Sequence, residues 1–465
     1  MKLLTQLKAH KDSFLKSPMP SRQERIKRLQ SLKDALLKHQ DALCAALNKD
    51  FGQRSTTESQ LLDILPTINY INYSCRKLKG WMKAEKRHSG LLLGGAKVKV
   101  MYQPLGVVGI IGSWNAPLTV TLAPLVTALS AGNHAMIKMS EFNPNTNQIV
   151  AKIIEQAFDQ NLVSMVEGEA SVSAEFSQLP FDHLVFTGST TVGKHVMSAA
   201  AKNLTPVTLE LGGKCPVIIG EDIDIDDAVS RIVFGKAFNS GQICLAPDYI
   251  FCPADKETEF VQAYCKKFQK LFPDFANNKD HTSIHSDRHF QRFQNLLSDA
   301  KQKGATITSA NNIEGNASTR LMATHLVSNV TEDMQLMQEE IFGPILPIKT
   351  YKNLEEVSSY INNKTSPLGL YIMTFNKKSQ QYLLDNTHSG GVSINEVLFH
   401  AMCDDAPFGG VGESGIGHYH GPEGFKALSK AKTVLTRGKF YPGKWTSPPY
   451  DNSLIKPVLK FLLKI

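Results

Sequence analysis

Two residues in this chain stand in surroundings that ask for a chemical explanation. Glu210 lies in VTLELGGKCP (207–216), a carboxylate inside an apolar, strand-like run that ends in two glycines. Burying a carboxylate is costly unless it is paired or put to use. Desolvation would raise its pKa towards that of a useful general base. A salt bridge or an exposed strand end is the plainer alternative. Cys244 lies in FNSGQICLAPDY (238–249). Most cysteines are inert, small core residues. Here Gly241 and Gln242 suggest a loop that presents the thiol, which makes Cys244 a candidate nucleophile. Reactivity would require a helix terminus or a positive charge nearby to favour the thiolate.

Three further patterns invite a reading. Gly188-Ser-Thr-Thr-Val-Gly193-Lys194 nearly matches the phosphate-cradling loop G-x-x-x-x-G-K-[ST], but His195 replaces the hydroxyl that would hold Mg²⁺. An ATPase is therefore not expected. A strand, a glycine turn and a helix N-terminus still favour a phosphate or pyrophosphate, with an ordinary tight turn as the alternative. Gly410-Val-Gly412-Glu-Ser-Gly415 matches G-x-G-x-x-G, yet it follows Pro407-Phe408 with no strand–helix context. It reads as a glycine-rich loop and not as a cofactor site. His281, His285 and His289 are four apart and would share a helix face. Their polar surroundings, without a carboxylate of obvious ligand geometry, predict a solvated face and no metal site.

These residues need elements to position them. Ser21 and Glu24 form a capping-box pattern, Ile26, Leu29, Leu32, Leu36, Leu43 and Leu47 recur at helical spacing, and Gly52 follows as a stop. The pattern predicts a helix over 21–50, and a second helical stretch runs through the sixties and seventies. Lys97–Tyr102 alternates after Gly94–Gly95 and reads as a strand, half of an exposed hairpin. From Leu105 the texture changes. LGVVGIIGSWN (105–115), HAMIKMSE (134–141), DHLVFTGS (182–189) and CPVIIG (215–220) are short apolar runs with helix-like segments such as 118–130 and 148–160 between them. Continuous apolar strands alternating with helices indicate a parallel, doubly wound sheet, with ligands at the carboxyl ends of its strands. Residues 215–400 repeat the alternation less cleanly and suggest a second α/β domain.

The chain of 465 residues is long enough for two or three domains, and 42% hydrophobic with 20% charged residues fits a globular protein. The net charge is +8, with 20 basic and 8 acidic residues in 1–100, so +12 lies there and −4 in the remainder. Without a nucleic-acid motif this reads as solvated helix faces. Seven cysteines, an odd number with no C-x-x-C pair, signal neither a disulfide framework nor a zinc site, and point to a reducing compartment. The start has no signal-peptide pattern, and no apolar run approaches the ~20 residues of a membrane helix. The tail LIKPVLKFLLKI (454–465) sets Lys456, Lys460 and Lys464 four apart against apolar residues. It is expected to dock on protein, with peripheral membrane contact as the alternative.

Taken together, GSWNAP (112–117), IKMSE (137–141), FTGSTTVG (186–193), LELGGK (209–214), GQICLAPDY (241–249), EEIFGP (339–344) and PFGGVGESGIGHYHG (407–421) resemble the NAD(P)-dependent aldehyde dehydrogenase superfamily, in its order and over about residues 20–435. APDY and GHYHG are similar to the class-3-like branch, and within it to the coniferyl aldehyde dehydrogenases. The resemblance implies a Rossmann-like cofactor domain (1–82 and 101–209), a catalytic domain (210–392), an oligomerisation element (83–100 and 393–435) with homodimers, and a tail (436–465) outside the pattern. It implies oxidation of an aromatic aldehyde to the acid in the cytoplasm. Cys244 would be the nucleophile, Asn115 an oxyanion donor and Glu210 the base that activates water. Lys138 and Glu141 would hold the adenosine ribose, Gly188 and Ser189 the pyrophosphate, and Glu340 and Phe342 the nicotinamide ribose; Trp114 would pack beside the site. The carboxylate of Glu141 would favour NAD over NADP, with NADP still admitted. Met139 and Ala116 depart from residues common in the family, and so does the wording of 280–285. An inactive NAD-binding scaffold or a lipid-associated protein of the same fold is the alternative.

Overall fold

The computed structural model describes residues 2–90, 93, 95–313, 315–439, 441, 447–450 and 455–464. Gly94 and much of the tail lie outside them. Three sheets organise the chain. The first has six strands in the order Gly415–Ile416, Val207–Glu210, His183–Thr187, Val107–Ile111, His134–Lys138 and Val163–Val166. All neighbours are parallel except Gly415–Ile416, which runs antiparallel at the edge. Val107–Ile111 and His134–Lys138 are buried at every position, as strands covered on both faces must be. The chain order reverses between Val107–Ile111 and His183–Thr187, so the crevice for a ligand opens beyond these two strands.

The second sheet has seven strands in the order Thr306–Ser309, His325–Ser328, Ile345–Tyr351, Tyr249–Pro253, Pro216–Ile219, Gly369–Met373 and Gly391–Ile394, parallel apart from the first. Each of these two sheets has its own apolar cores. The α/β architecture expected from the alternation is present.

One expectation needs correction and another is extended. The helix over 21–50 is two helices, Arg22–Lys38 and Gln40–Phe51, broken at His39. The capping box at Ser21 and Glu24 and the stop at Gly52 are present. The break turns the second segment so that Leu43, Leu47 and Phe51 also reach the core. The strand at 97–102 is half of a hairpin with Glu85–Arg87, as expected, but it has a second partner. It is the middle of a three-stranded antiparallel sheet, Ala96–Pro104 between Glu85–Arg87 and Ser429–Arg437. Its distant partner at 429–437 could not be read from local alternation.

Candidate active site

The cysteine loop is built from strained backbone. The helix Ile225–Ala237 ends, and Asn239 (φ 51°), Ser240 (φ 53°) and Gly241 (φ 71°) follow in the left-handed region. Asn tolerates that conformation and Gly favours it. At Gly241 a Cβ would stand 2.7 Å from the Gly343 carbonyl oxygen, so only glycine fits. Such strain persists when neighbours over-determine it. Gln242 does much of this: its amide donates to the carbonyls of Asn239 (3.0 Å) and Ser283 (3.1 Å), and its oxygen accepts the His285 N–H (2.9 Å). The Ser240 hydroxyl donates to the Thr282 carbonyl. The segment 280–285 is therefore the cradle of the cysteine loop.

Beyond that loop Cys244, Asn115 and Glu210 line one cavity of about 260 Å³, together with Gly188, Ser189, Glu340 and Phe342. Asn115 follows the strand Val107–Ile111, is buried, and donates through Nδ2 to the Gln242 carbonyl at 3.2 Å. Glu210 ends the strand Val207–Glu210. Both of its carboxyl oxygens are buried with no hydrogen-bond partner, and burial pushes its pKa well above the usual range. No salt bridge and no exposed strand end account for it. The Cys244 thiol is pushed up to about 12, first by burial and then by Glu340 and Glu210 while they are ionised. The positive neighbour expected to depress it is not supplied by a side chain here. Glu340 itself is raised to about 8 by burial and by Asp248, against the Gly213 N–H that it accepts.

A larger cleft of about 1020 Å³ shares Ser113, Trp114, Thr187, Gly188 and Ser189 with this cavity and extends along Gly112, Met139, Glu141 and Val192. Ser189 caps the helix Thr190–Ala201 by accepting the Val192 N–H at 3.4 Å, so the N-terminus of that helix faces the cleft. Lys138 does not line it. Its ammonium is buried beneath, donating to the Met139 carbonyl (2.7 Å) and lying 3.6 Å from a Glu141 carboxylate oxygen. Burial lowers its pKa, and Glu141 counteracts this. Lys194 reaches away, to Glu413 at 2.8 Å, which leaves the near-match to a phosphate loop without its cation. The glycine run 410–415 leads into the edge strand Gly415–Ile416, with Gly415 paired opposite Glu210.

The histidine expectation is overturned. Only His289 lies on the helix Asp287–Gln302, and His281 and His285 are buried ahead of it. His281 sits among Phe268, Phe272 and Phe275. His285 and His289 stack on Trp114 with ring centroids 4.5 and 4.9 Å away. Four-residue spacing was mistaken for one continuous helix. Among the described residues no group of His, Cys, Asp or Glu could hold a metal. Phe342, itself left-handed (φ 53°), packs edge-on against Trp114 at 5.5 Å.

Sequence reasoning missed Arg292. It lines both cavities and donates to the carbonyls of Glu340 (2.6 Å) and Ile341 (2.7 Å), fixing the strip that carries Glu340 and Phe342. It reads as one more cation on an amphipathic helix, so no local signal exposes it.

Comparison with known proteins identifies the family. The profile described as "Aldehyde dehydrogenase family" matches residues 7–434. A "Probable coniferyl aldehyde dehydrogenase" of Pseudomonas aeruginosa is 46% identical over 452 residues, 97% of this chain and 94% of that protein. The substrate-bound state of the Staphylococcus aureus enzyme AldH superimposes with a TM-score of 0.93 at 33% identity, covering 98% of this chain and 99% of that one. Betaine aldehyde dehydrogenase of Staphylococcus aureus, solved in complex with NAD+, gives a TM-score of 0.84 at 26% identity, with 95% of this chain and 88% of that one covered. With a family match over nearly its whole length, this chain belongs to the aldehyde dehydrogenase family.

Proposed function

We propose that the enzyme oxidises an aromatic aldehyde of the coniferyl type to its carboxylic acid, with NAD+ as hydride acceptor and water as the second substrate. One observation carries the reading: a thiol (Cys244), an amide (Asn115) and an unpaired carboxyl (Glu210) line a single cavity that opens into a dinucleotide-sized cleft. The same convergence disfavours an inactive scaffold.

The cleft suits a dinucleotide. The helix N-terminus at Ser189 presents backbone N–H groups to a pyrophosphate. Gly188 stands at that turn because a Cβ there would lie 2.5 Å from the Phe186 ring. Glu141, braced by Lys138, suits ribose hydroxyls and repels a 2′-phosphate, which favours NAD over NADP. Glu340 and Phe342, held by Arg292, would border the nicotinamide ribose. When bound, the cofactor supplies the hydride acceptor and a cationic ring.

The chain's own residues do the rest. Cys244 gives up its thiol proton to solvent, and its Sγ adds to the carbonyl carbon, giving a thiohemiacetal oxyanion. Asn115 Nδ2 and the Cys244 backbone N–H donate to that oxygen. Loss of hydride leaves a thioester on Cys244. Glu210 takes a proton from water as it attacks the thioester, and the thiolate departs with the acid released. Burial is what lifts the carboxyl into the range of such a base.

The three-stranded sheet that joins 96–104 to 429–437 suits a homodimer contact, and seven free thiols suit the cytoplasm. Among the described residues no helix is long and apolar enough to cross a membrane. The test is NADH formation across aromatic, short aliphatic and long aliphatic aldehydes with NAD and with NADP. Turnover that prefers aromatic substrates and disappears in Cys244→Ala is expected; no reduction with any aldehyde would overturn the reading.

A further inference from the structure

A buried carboxylate outside the mechanism is wired to the oxyanion amide. Glu58 lies in the short helix Thr56–Ser59, which runs on into a π-helical turn, Gln60–Ile64. One of its oxygens accepts the Asn239 backbone N–H, and the other accepts the Thr282 hydroxyl at 3.0 Å. Asn239 is the first of the three left-handed residues before Cys244. Its side-chain amide donates at 3.1 Å to the carbonyls of both Asn115 and Gln242. The same segment grips the far side of the Asn115 turn. Asp63 accepts the N–H groups of Leu118 (2.9 Å) and Thr119 (3.3 Å) and is paired with Arg54 at 2.8 Å.

Residues 54–63 thus hold both loops that must meet at the carbonyl. A misplacement of about 1 Å at such a site costs on the order of 100-fold in rate. An asparagine at positive φ relaxes unless something holds it, and Glu58 grips the backbone N–H of the residue concerned.

We propose that Glu58 is a positioning residue for the oxyanion site: by fixing Asn239 it sets the Asn115 amide relative to the Cys244 sulfur. The inference rests on the reading of Asn115 given above. A merely structural role would lower stability and the yield of folded enzyme, leaving Asn115 no special place in the effect.

A double-mutant cycle separates the two. Steady-state kcat and KM are measured for the native enzyme, Glu58→Ala, Asn115→Ala and the double variant, with kcat expressed per alkylatable Cys244. Glu58→Ala should lower kcat by about 10-fold or more with the aldehyde KM within about 3-fold; in the Asn115→Ala background it should change kcat by less than about 2-fold. Glu58→Gln keeps the shape and an acceptor for the Asn239 N–H, and should stay within about 3-fold of native. Asn239→Gly keeps the left-handed backbone unstrained while removing the amide, and should repeat the non-additivity with Asn115→Ala. Equal losses from Glu58→Ala with and without the Asn115 amide would overturn the inference. If Glu58→Ala does not fold, the cycle with Asn239→Gly decides in the same way. A native kcat in Asn115→Ala alone would overturn the oxyanion reading itself, whatever Glu58 does.

Discussion

Asn115 is tied to the cysteine loop at one atom: its Nδ2 donates to the Gln242 carbonyl, two residues before Cys244, at 3.2 Å. One amide hydrogen is therefore engaged within the protein, and the other remains for an oxyanion. Truncation to alanine removes the donor and the tie together. Asn115→Ala should lower kcat by roughly 10²–10³-fold, the usual worth of one oxyanion donor, with KM little changed. Steady-state kinetics on an aromatic aldehyde would show this; a change under threefold would mean that the amide serves packing only.

Glu210→Gln separates hydride transfer from hydrolysis. The thioester should form and then persist, so the first turnover should release about one NADH per site, with later turnovers slowed by roughly 10²–10⁴-fold. Rapid-mixing fluorescence reads the burst. In the native enzyme the slow step should accelerate with rising pH, because a carboxyl raised by burial acts as a base only once ionised. That dependence should vanish in the glutamine variant. A variant with neither burst nor turnover would place Glu210 before the thioester.

The Arg54–Asp63 pair is enclosed, with both side chains at 0% exposure and 2.8 Å between the charged atoms. Removing one partner strands a buried charge. Arg54→Ala should cost about 3–5 kcal/mol of stability, and Arg54→Met with Asp63→Asn should recover part of it. Denaturant unfolding followed by fluorescence checks both.

Seven histidines, His10, His134, His183, His281, His285, His400 and His420, are held down to about 4 by burial. In the unfolded chain they titrate near 6.5. Between these values the unfolded chain binds more protons, so stability present above 6.5 is lost as pH falls towards 4. Glu58 (about 7) and Glu340 (about 8) have the opposite sign. Raised from about 4.5, they contribute stability in acid that is lost as pH rises through their folded values. The histidines are more numerous, so Tm should fall from pH 7 to pH 4.5; a scanning calorimetry series with Tm constant or rising towards acid would contradict this.

Much of this was legible where chemistry and local pattern coincide. Glu210 stood out because a charge interrupted an apolar strand, and the two helix caps of 21–52 because their residues are adjacent in sequence. Cys244 owed its standing to a resemblance across distant segments; its local loop alone left an inert thiol open. The failures share a cause. His281 and His285 took helical spacing from residues that are not helical, and the second partner of Ala96–Pro104 lies more than 300 residues away. Glu58 and Arg292 act on groups far along the chain. As isolated letters they are ordinary helix-surface charges, and only the assembled fold gives them a task.

The strand Gly415–Ile416 closes the sheet edge beside Glu210, and Phe408 and Tyr419 complete the cavity wall. During synthesis the thiol, amide and carboxyl all leave the ribosome long before this edge does. A nascent chain halted near residue 400 should hold every reacting group and yet oxidise nothing. Residues 408–419 therefore act as a latch: a chain still lacking them should consume neither aldehyde nor cofactor.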